Sequence, residues 1–150
     1  MDAVQLLTRD HKEVKALFRE YEGLSENAHQ RRAGVVERVF QELEIHTQIE
    51  EEIFYPAVQS KGDDEAKDLV RESLEEHHVV DVLMDEMRKL QPDNPEYEAK
   101  FKVLRENVEH HAEEEEKELF PQAKKALGDQ LQELGSRMET RKEQLQARSR

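Results

Sequence analysis

The 150-residue sequence contains no cysteine, which excludes disulfide bonds, thiolate metal ligands and cysteine nucleophiles. Glycine and proline are scarce, at five and four residues, and tryptophan is absent. This shortage of turn-forming residues is typical of long helices and disfavours a sheet. The chain has no run of about 18 apolar residues, and its N-terminus has no apolar segment of signal-peptide length. We therefore expect a cytoplasmic protein.

Charged residues are abundant instead. They make up 39% of the chain, and the formal net charge is −13. Such an acidic protein repels phosphate backbones and anionic lipids, so we expect no nucleic-acid partner and no membrane partner. Hydrophobic residues make up 35% of the chain, which suits the narrow core of a single helical bundle with solvated outer faces.

Apolar residues recur at helical spacing in five segments, which cover about residues 2–22, 27–59, 65–90, 95–127 and a shorter stretch after residue 128. Gly23 is predicted to end the first helix, and Asn94 to cap the fourth. Four long helices with short connections predict an all-α fold, an up-down-up-down four-helix bundle over residues 1–127. Residues 128–150 are predicted to form a short amphipathic helix against the bundle, with a frayed tail.

The chain also repeats itself. The segment "HTQIEEEIFYP" from His46 resembles "HAEEEEKELFP" from His111, 65 residues later. Upstream, "DHKEVKALF" from Asp10 resembles "EHHVVDVLM" from Glu76, 66 residues later. We interpret the two halves as helical hairpins of the same design, which indicates a duplicated functional unit.

Polar residues interrupt the apolar stripe of every predicted helix. Each stripe carries a histidine at its middle, and the second and fourth carry a glutamate one turn further on. A buried carboxylate costs several kcal/mol unless it is paired or bound to metal, and no lysine or arginine shares these stripes near the glutamates. One divalent cation, or more plausibly two bridged by the glutamates, is therefore predicted between the helices. The candidate ligands are His11, His46, Glu50, His77, His111 and Glu115.

Imidazole and carboxylate ligands favour iron, with manganese and zinc as alternatives. The remaining histidines, His29, His78 and His110, are weaker candidates because they lie off the stripes or far from the site. A solvated face is predicted for the other glutamates of the two acidic runs, namely Glu51, Glu52, Glu113, Glu114 and Glu116. Extra ligands, or groups that hold the ligands, could come from Asp81, Tyr55 and Tyr21.

At these residues the chain resembles the hemerythrin-like family, also called the HHE cation-binding domain. The family pattern is His, then His-x3-Glu, then His, then His-x3-Glu, and the "EEIFYP" and "EKELFP" tails are also similar. The resemblance covers about residues 3–125. It implies a four-helix bundle with a non-haem di-iron centre whose open metal positions take oxygen, peroxide or nitric oxide.

One departure from the oxygen-carrying members concerns the ligand set. Those members have a second histidine on the third helix and an aspartate five residues after the histidine of the fourth. Here Asp81 follows His77 by one turn, and Glu116 follows His111 by five residues. The resemblance therefore implies a centre poorer in imidazole and richer in carboxylate. Anionic ligands favour the ferric state, which weakens the case for simple reversible oxygen carriage.

The sequence leaves several functions open. A di-iron protein could handle or sense oxygen, peroxide or nitric oxide, or bind iron; a catalase-like, peroxide-dismutating enzyme is a second possibility. A mononuclear zinc protein and a metal-free acidic interaction module are the remaining alternatives. No catalytic residue apart from the metal ligands is predicted.

Overall fold

The computed structural model describes residues 1–149, which are almost entirely helical. Two π-helical turns, Glu50–Phe54 and Glu115–Leu119, each join two α-helices into one longer helix. The α-helices are α1 (Ala3–Glu22), α2 (His29–Ile49), α3 (Tyr55–Lys61), α4 (Asp64–Arg88), α5 (Pro95–Glu114), α6 (Phe120–Leu127) and α7 (Gln130–Arg148). Four of the resulting helices (α1, α2–α3, α4 and α5–α6) form the bundle. The predicted up-down-up-down fold is confirmed.

The helix ends follow from local chemistry. Gly23 ends α1, as predicted. The Asp63 side chain caps α4 by accepting a hydrogen bond from the Ala66 N–H at 3.0 Å. Asn94 caps α5, with Pro95 at the first helical position, where a missing N–H costs nothing. The connections between the bundle helices are short, so neighbouring helices run antiparallel.

The two π-turns are a finding that the sequence analysis did not predict. Each comes just before a proline, which cannot donate a backbone hydrogen bond and clashes with the carbonyl four residues earlier. A π-turn relieves this conflict by inserting one extra residue, and the Tyr55 N–H donates to the Glu50 carbonyl oxygen five residues back. The second turn repeats this arrangement with Phe120 and Glu115. Because of the extra residue, Tyr55 and Phe120 face the bundle interior.

The core consists of two apolar clusters with a polar layer between them. The proximal cluster contains α7 and, from the bundle, residues such as Leu7, Ile49, Val70 and Leu119. The distal cluster lies on the other side and contains residues such as Val14, Leu43, Val80 and Leu104. In each bundle helix the interrupting histidine falls between a proximal and a distal residue. The fold therefore places all four histidines at one level.

Helix α7 packs against α1 and α2, and its buried apolar residues are Leu131, Leu134, Met138 and Leu145. Gly135 allows this close approach, because a Cβ there would collide with the backbone of Met1 and Asp2. The helix continues to Arg148, so it includes most of the segment for which fraying is predicted, while residue 150 lies outside the described residues. In residues 1–149 no helix is both long and apolar enough to cross a membrane.

Candidate metal centre

The structure brings all six predicted ligands together in the polar layer. Each of the six is at most 9% exposed to solvent. Their ligand atoms form two groups in which all the atoms lie within 4.8 Å of one another, His11 with His46 and Glu115, and Glu50 with His77 and His111. Each group therefore combines two imidazoles and one carboxylate.

The two glutamates connect these groups. One carboxylate oxygen of Glu50 lies 3.2 Å from Nε2 of both His46 and His77, which belong to different hairpins. Glu115 makes the corresponding contacts with the remaining two histidines, at 3.1 and 3.5 Å. Each carboxylate therefore spans both groups, which is the arrangement of a carboxylate that bridges two metal ions.

Three buried atoms of the centre make no well-aligned hydrogen bond within the described residues, although an oxygen of Glu50 lies 3.2 Å from Nε2 of His46. These atoms are Nε2 of His46 and both carboxylate oxygens of Glu50. A buried polar atom without a partner is costly, and a buried carboxylate especially so. A divalent cation would satisfy these atoms, because imidazole nitrogens and carboxylate oxygens are its ordinary ligands. The residues present therefore fit a metal centre.

A carboxylate holds the outward-facing nitrogen of every histidine in the centre. These Nδ1 atoms lie 2.7–2.9 Å from carboxylate oxygens, in the pairs His11–Glu116, His46–Asp10, His77–Glu51 and His111–Glu76. When Nδ1–H donates to a carboxylate, the lone pair of Nε2 points inward and the ring cannot rotate. All four imidazoles are thus oriented to bind a metal ion through Nε2.

Sequence reasoning missed these outer carboxylates. Glu51 and Glu116 are assigned to a solvated face by the sequence, but the structure shows that each holds a histidine, although their side chains are 44% and 35% exposed. Asp10 and Glu76 are not singled out by sequence reasoning at all. Each of the four is adjacent in sequence to a predicted ligand, and the two pairs recur at the repeat distance. An acidic residue that lies next to a predicted ligand in both halves of the repeat is the signal that could have identified them.

In the metal-free protein, protonated histidines offset the negative charges of the buried carboxylates. Burial alone would lower the pKa of His77, but Glu50 and Glu51 outweigh it and raise this pKa to about 9. In the same way, burial opposes the charge of His111, but Glu115 raises its pKa to about 10. Because a metal ligand must be an unprotonated imidazole, a cation would displace these protons.

The two halves of the centre differ at Tyr55 and its counterpart in the repeat. The Tyr55 hydroxyl donates a 2.6 Å hydrogen bond to Glu115, and it lies 3.2 and 3.4 Å from Nε2 of His77 and His111. The matching residue of the second half is Phe120, which stacks on the His11 ring with a centroid distance of 5.9 Å. Tyr55 is therefore the one extra candidate that the structure places at the centre.

The other extra candidates belong to neither group of ligand atoms. Asp81 is exposed, and Tyr21 packs against Phe101 in the distal cluster, away from the centre. His78 and His110 are exposed, and His29 lies at the first residue of α2. These positions agree with their lower rank in the sequence analysis.

A cavity of about 40 Å³ adjoins the centre on its distal side. The four histidines line it together with apolar side chains, among them Val14, Leu43, Val80 and Val108. Since a cavity of about 10–15 Å³ already admits a water molecule, this one accommodates a diatomic molecule or peroxide beside the imidazoles.

Comparison with known proteins identifies the family. Residues 2–123 match the family described as the Hemerythrin HHE cation binding domain. The chain belongs to this family. The match covers the four-helix bundle up to the first residues of α6, including both histidine–glutamate groups, and so the chain has the cation-binding site of its family.

The HHE relatives include the uncharacterized protein Rv2633c of Mycobacterium tuberculosis, which is 33% identical over 147 residues. This match covers 97% of the present chain and 88% of the relative, and a protein of Mycobacterium bovis matches equally well. A similar solved structure is that of an HHE cation-binding domain-containing protein from Mycobacterium kansasii, a homologue of Rv2633c. Its TM-score is 0.84 at 28% identity, with coverage of 98% of this chain and 88% of that chain. The similarity therefore extends through α7.

Proposed function

We propose that this protein binds two iron ions and engages oxygen, peroxide or nitric oxide at their open positions. His11 and His46 would hold one ion, and His77 and His111 the other. The observation that carries this proposal is the contact of each central glutamate with one histidine from each hairpin, which suits two bridged ions better than one. Bound iron would supply the redox chemistry and the open positions for a small ligand.

The chain's own residues support a small, uncharged ligand. The valines and leucine of the distal cavity leave room beside the histidines but provide few polar partners there. A cavity of about 40 Å³ favours a diatomic molecule or hydrogen peroxide over a larger substrate.

Tyr55 gives a reason to consider peroxide dismutation as a second function. Its hydroxyl donates to Glu115 inside the centre, and burial, together with Glu115, raises the pKa of this phenol well above its usual value. The phenol therefore keeps its proton and holds it at Glu115 near neutral pH. Dismutation converts two peroxide molecules into two water molecules and one oxygen molecule, and it requires protons to move between oxygen atoms. A phenol held at this position could assist that transfer.

Metal content tests the proposed site. Protein loaded anaerobically with ferrous iron and freed of excess is expected to retain two equivalents per chain by elemental analysis. His111→Ala should abolish this stoichiometry. His110→Ala is the matched control, because His110 is the adjacent residue, is 69% exposed and should be dispensable. A single equivalent of zinc in wild-type protein would favour the mononuclear alternative, and no retained metal would favour the interaction module.

Ligand reactions then separate the two functions. A binding or sensing protein should form a coloured adduct with oxygen or nitric oxide and release little gas from peroxide. A dismutating enzyme should evolve oxygen continuously from peroxide, and His46→Ala should stop the evolution. The cytoplasmic location and the lack of nucleic-acid or membrane partners stay predictions from the sequence.

A further inference from the structure

The two halves of the centre differ in what lies behind their outer carboxylates. In the first half, Asp10 is buried and uses both of its oxygens. One oxygen lies 2.9 Å from Nδ1 of His46, and the other accepts a 2.5 Å hydrogen bond from the Lys142 ammonium. Lys142 belongs to α7 and is only 6% exposed. The C-terminal helix therefore delivers a buried positive charge to a residue that holds a candidate ligand.

In the second half, no lysine or arginine of the described residues pairs with the matching carboxylate. Glu76 takes the place of Asp10 and lies 2.7 Å from Nδ1 of His111. Glu76 lies beside Glu114 and the exposed imidazole of His110, and one ligand atom of each lies within 4.8 Å of the others. Lys142 itself also lies 3.8 Å from Glu13, but that side chain is half-exposed and screened by water.

This difference bears on the two imidazoles that face the metal ions. A carboxylate that accepts only from an imidazole N–H increases the basicity of the ring and strengthens it as a ligand. Asp10 shares its negative charge with an ammonium group, so its effect on His46 is weaker. The positive charge of Lys142, which is little screened at this depth, also repels a nearby cation.

We infer that Lys142 is a positioning residue that makes the two metal positions unequal. Acting through Asp10 and His46, it weakens the position held by His11 and His46, so the position held by His77 and His111 fills first. This inference rests on the two-metal site of the proposed function. It assigns to α7, which lies beyond the family match, a role at the centre.

Limited metal loading tests the order of filling. Crystals of the full chain prepared with one equivalent of Zn²⁺ would be examined by anomalous scattering, which reports the occupancy of each position. The wild-type protein should show most of its zinc between His77 and His111. In Lys142→Gln, which can still donate a hydrogen bond to Asp10 but carries no charge, the occupancies should become similar. In calorimetry the weaker of the two affinities should rise about tenfold in this variant, in line with typical effects of groups that hold metal ligands.

Arg141 provides the matched control. It precedes Lys142 and anchors α7 through an ion pair with Glu52, at 2.9 Å, which does not reach a candidate ligand. Arg141→Gln should therefore leave the order of filling unchanged. Lys142→Arg, which keeps the charge, should also retain the wild-type preference.

Specific outcomes would overturn the inference. Equal occupancies in wild-type protein, or an unchanged preference in Lys142→Gln, would remove the role of the charge. A weaker His11–His46 position in Lys142→Gln would mean that Lys142 only orients Asp10. If Lys142→Gln does not fold, Lys142→Met would serve in its place, and failure of both would make Lys142 a fold anchor instead. Failure of wild-type protein to bind a second metal ion would refute the proposed function itself.

Discussion

The Tyr55 hydroxyl offers a sharp test of how the centre is held together. Tyr55→Phe removes one oxygen atom from a buried side chain and leaves the ring in place. A phenylalanine is compatible with such a position, because Phe120 fills the matching place in the other half of the repeat. The substitution therefore changes one hydrogen bond without a large change in packing.

The expected magnitude follows from the partner of this hydroxyl. Tyr55 donates to Glu115 at 2.6 Å, and burial raises the pKa of that carboxyl while His111 and its other partners hold it well below the ordinary value. The hydroxyl therefore donates to a buried charged group. Hydrogen bonds to charged groups contribute about 1.5–3 kcal/mol, so the metal-free protein should lose about this much free energy of unfolding. In a domain of this size the loss corresponds to a fall in Tm of about 3–12 °C.

Urea denaturation of metal-free wild-type and variant proteins would measure the loss. The control is Tyr97→Phe, because Tyr97 is also buried but packs in the distal cluster. Tyr55→Phe should destabilise the protein clearly more than the control. An equal or smaller loss would refute the conclusion that the Tyr55 hydroxyl stabilises the charge of Glu115.

Three further predictions follow from the structure. Raising the pH should destabilise the metal-free protein, because the folded-state pKa values of His77 and His111 are about 9 and 10. The stabilisation that the two protonated imidazoles contribute is complete below about pH 6.5 and is lost as the pH rises through 10. A denaturant midpoint that stayed constant between about pH 6.5 and pH 10 would contradict this predicted loss of stability. Gly135→Ala should lower the free energy of unfolding by about 1–3 kcal/mol, because the new methyl group would push α7 away from the start of α1. Gly34 has open space around it, so Gly34→Ala should not lower the thermal stability of the protein. Val80→Phe should fill the distal cavity and weaken oxygen or nitric oxide binding while the iron content stays at the wild-type value, and unchanged ligand affinity would count against the cavity as the binding place.

The fold and the six candidate ligands were accessible from the sequence because they follow from periodicity. A helix repeats every 3.6 residues, so a histidine that continues an apolar stripe must face the core. His46 and Glu50 lie on such a stripe, and the repeat at His111 and Glu115 makes coincidence improbable. The helix-capping residue Asn94 was equally accessible, because its chemistry is local.

The outer carboxylates were not accessible in this way, because periodicity places them beside the core and not in it. Glu51 and Glu116 lie about 100° around the helix from their neighbouring ligands, at the boundary with solvent. A half-exposed glutamate in an acidic run has the same local signature whether or not it holds a histidine. Only the histidine partner distinguishes the two cases, and local sequence does not reveal it, because His77 lies 26 residues from Glu51 in the chain.

The sequence repeat does not predict the differences between the two halves. Duplication predicts a symmetric centre, and four carboxylate–imidazole pairs keep that symmetry. Two contacts break it, the Tyr55 hydroxyl and the Lys142 ammonium. The first depends on a π-turn that rotates the residue before Pro56 toward Glu115, and the second depends on a helix outside the repeat. A symmetric sequence pattern thus specifies where the candidate ligands converge, and residues that the pattern does not contain make the two halves of the centre different.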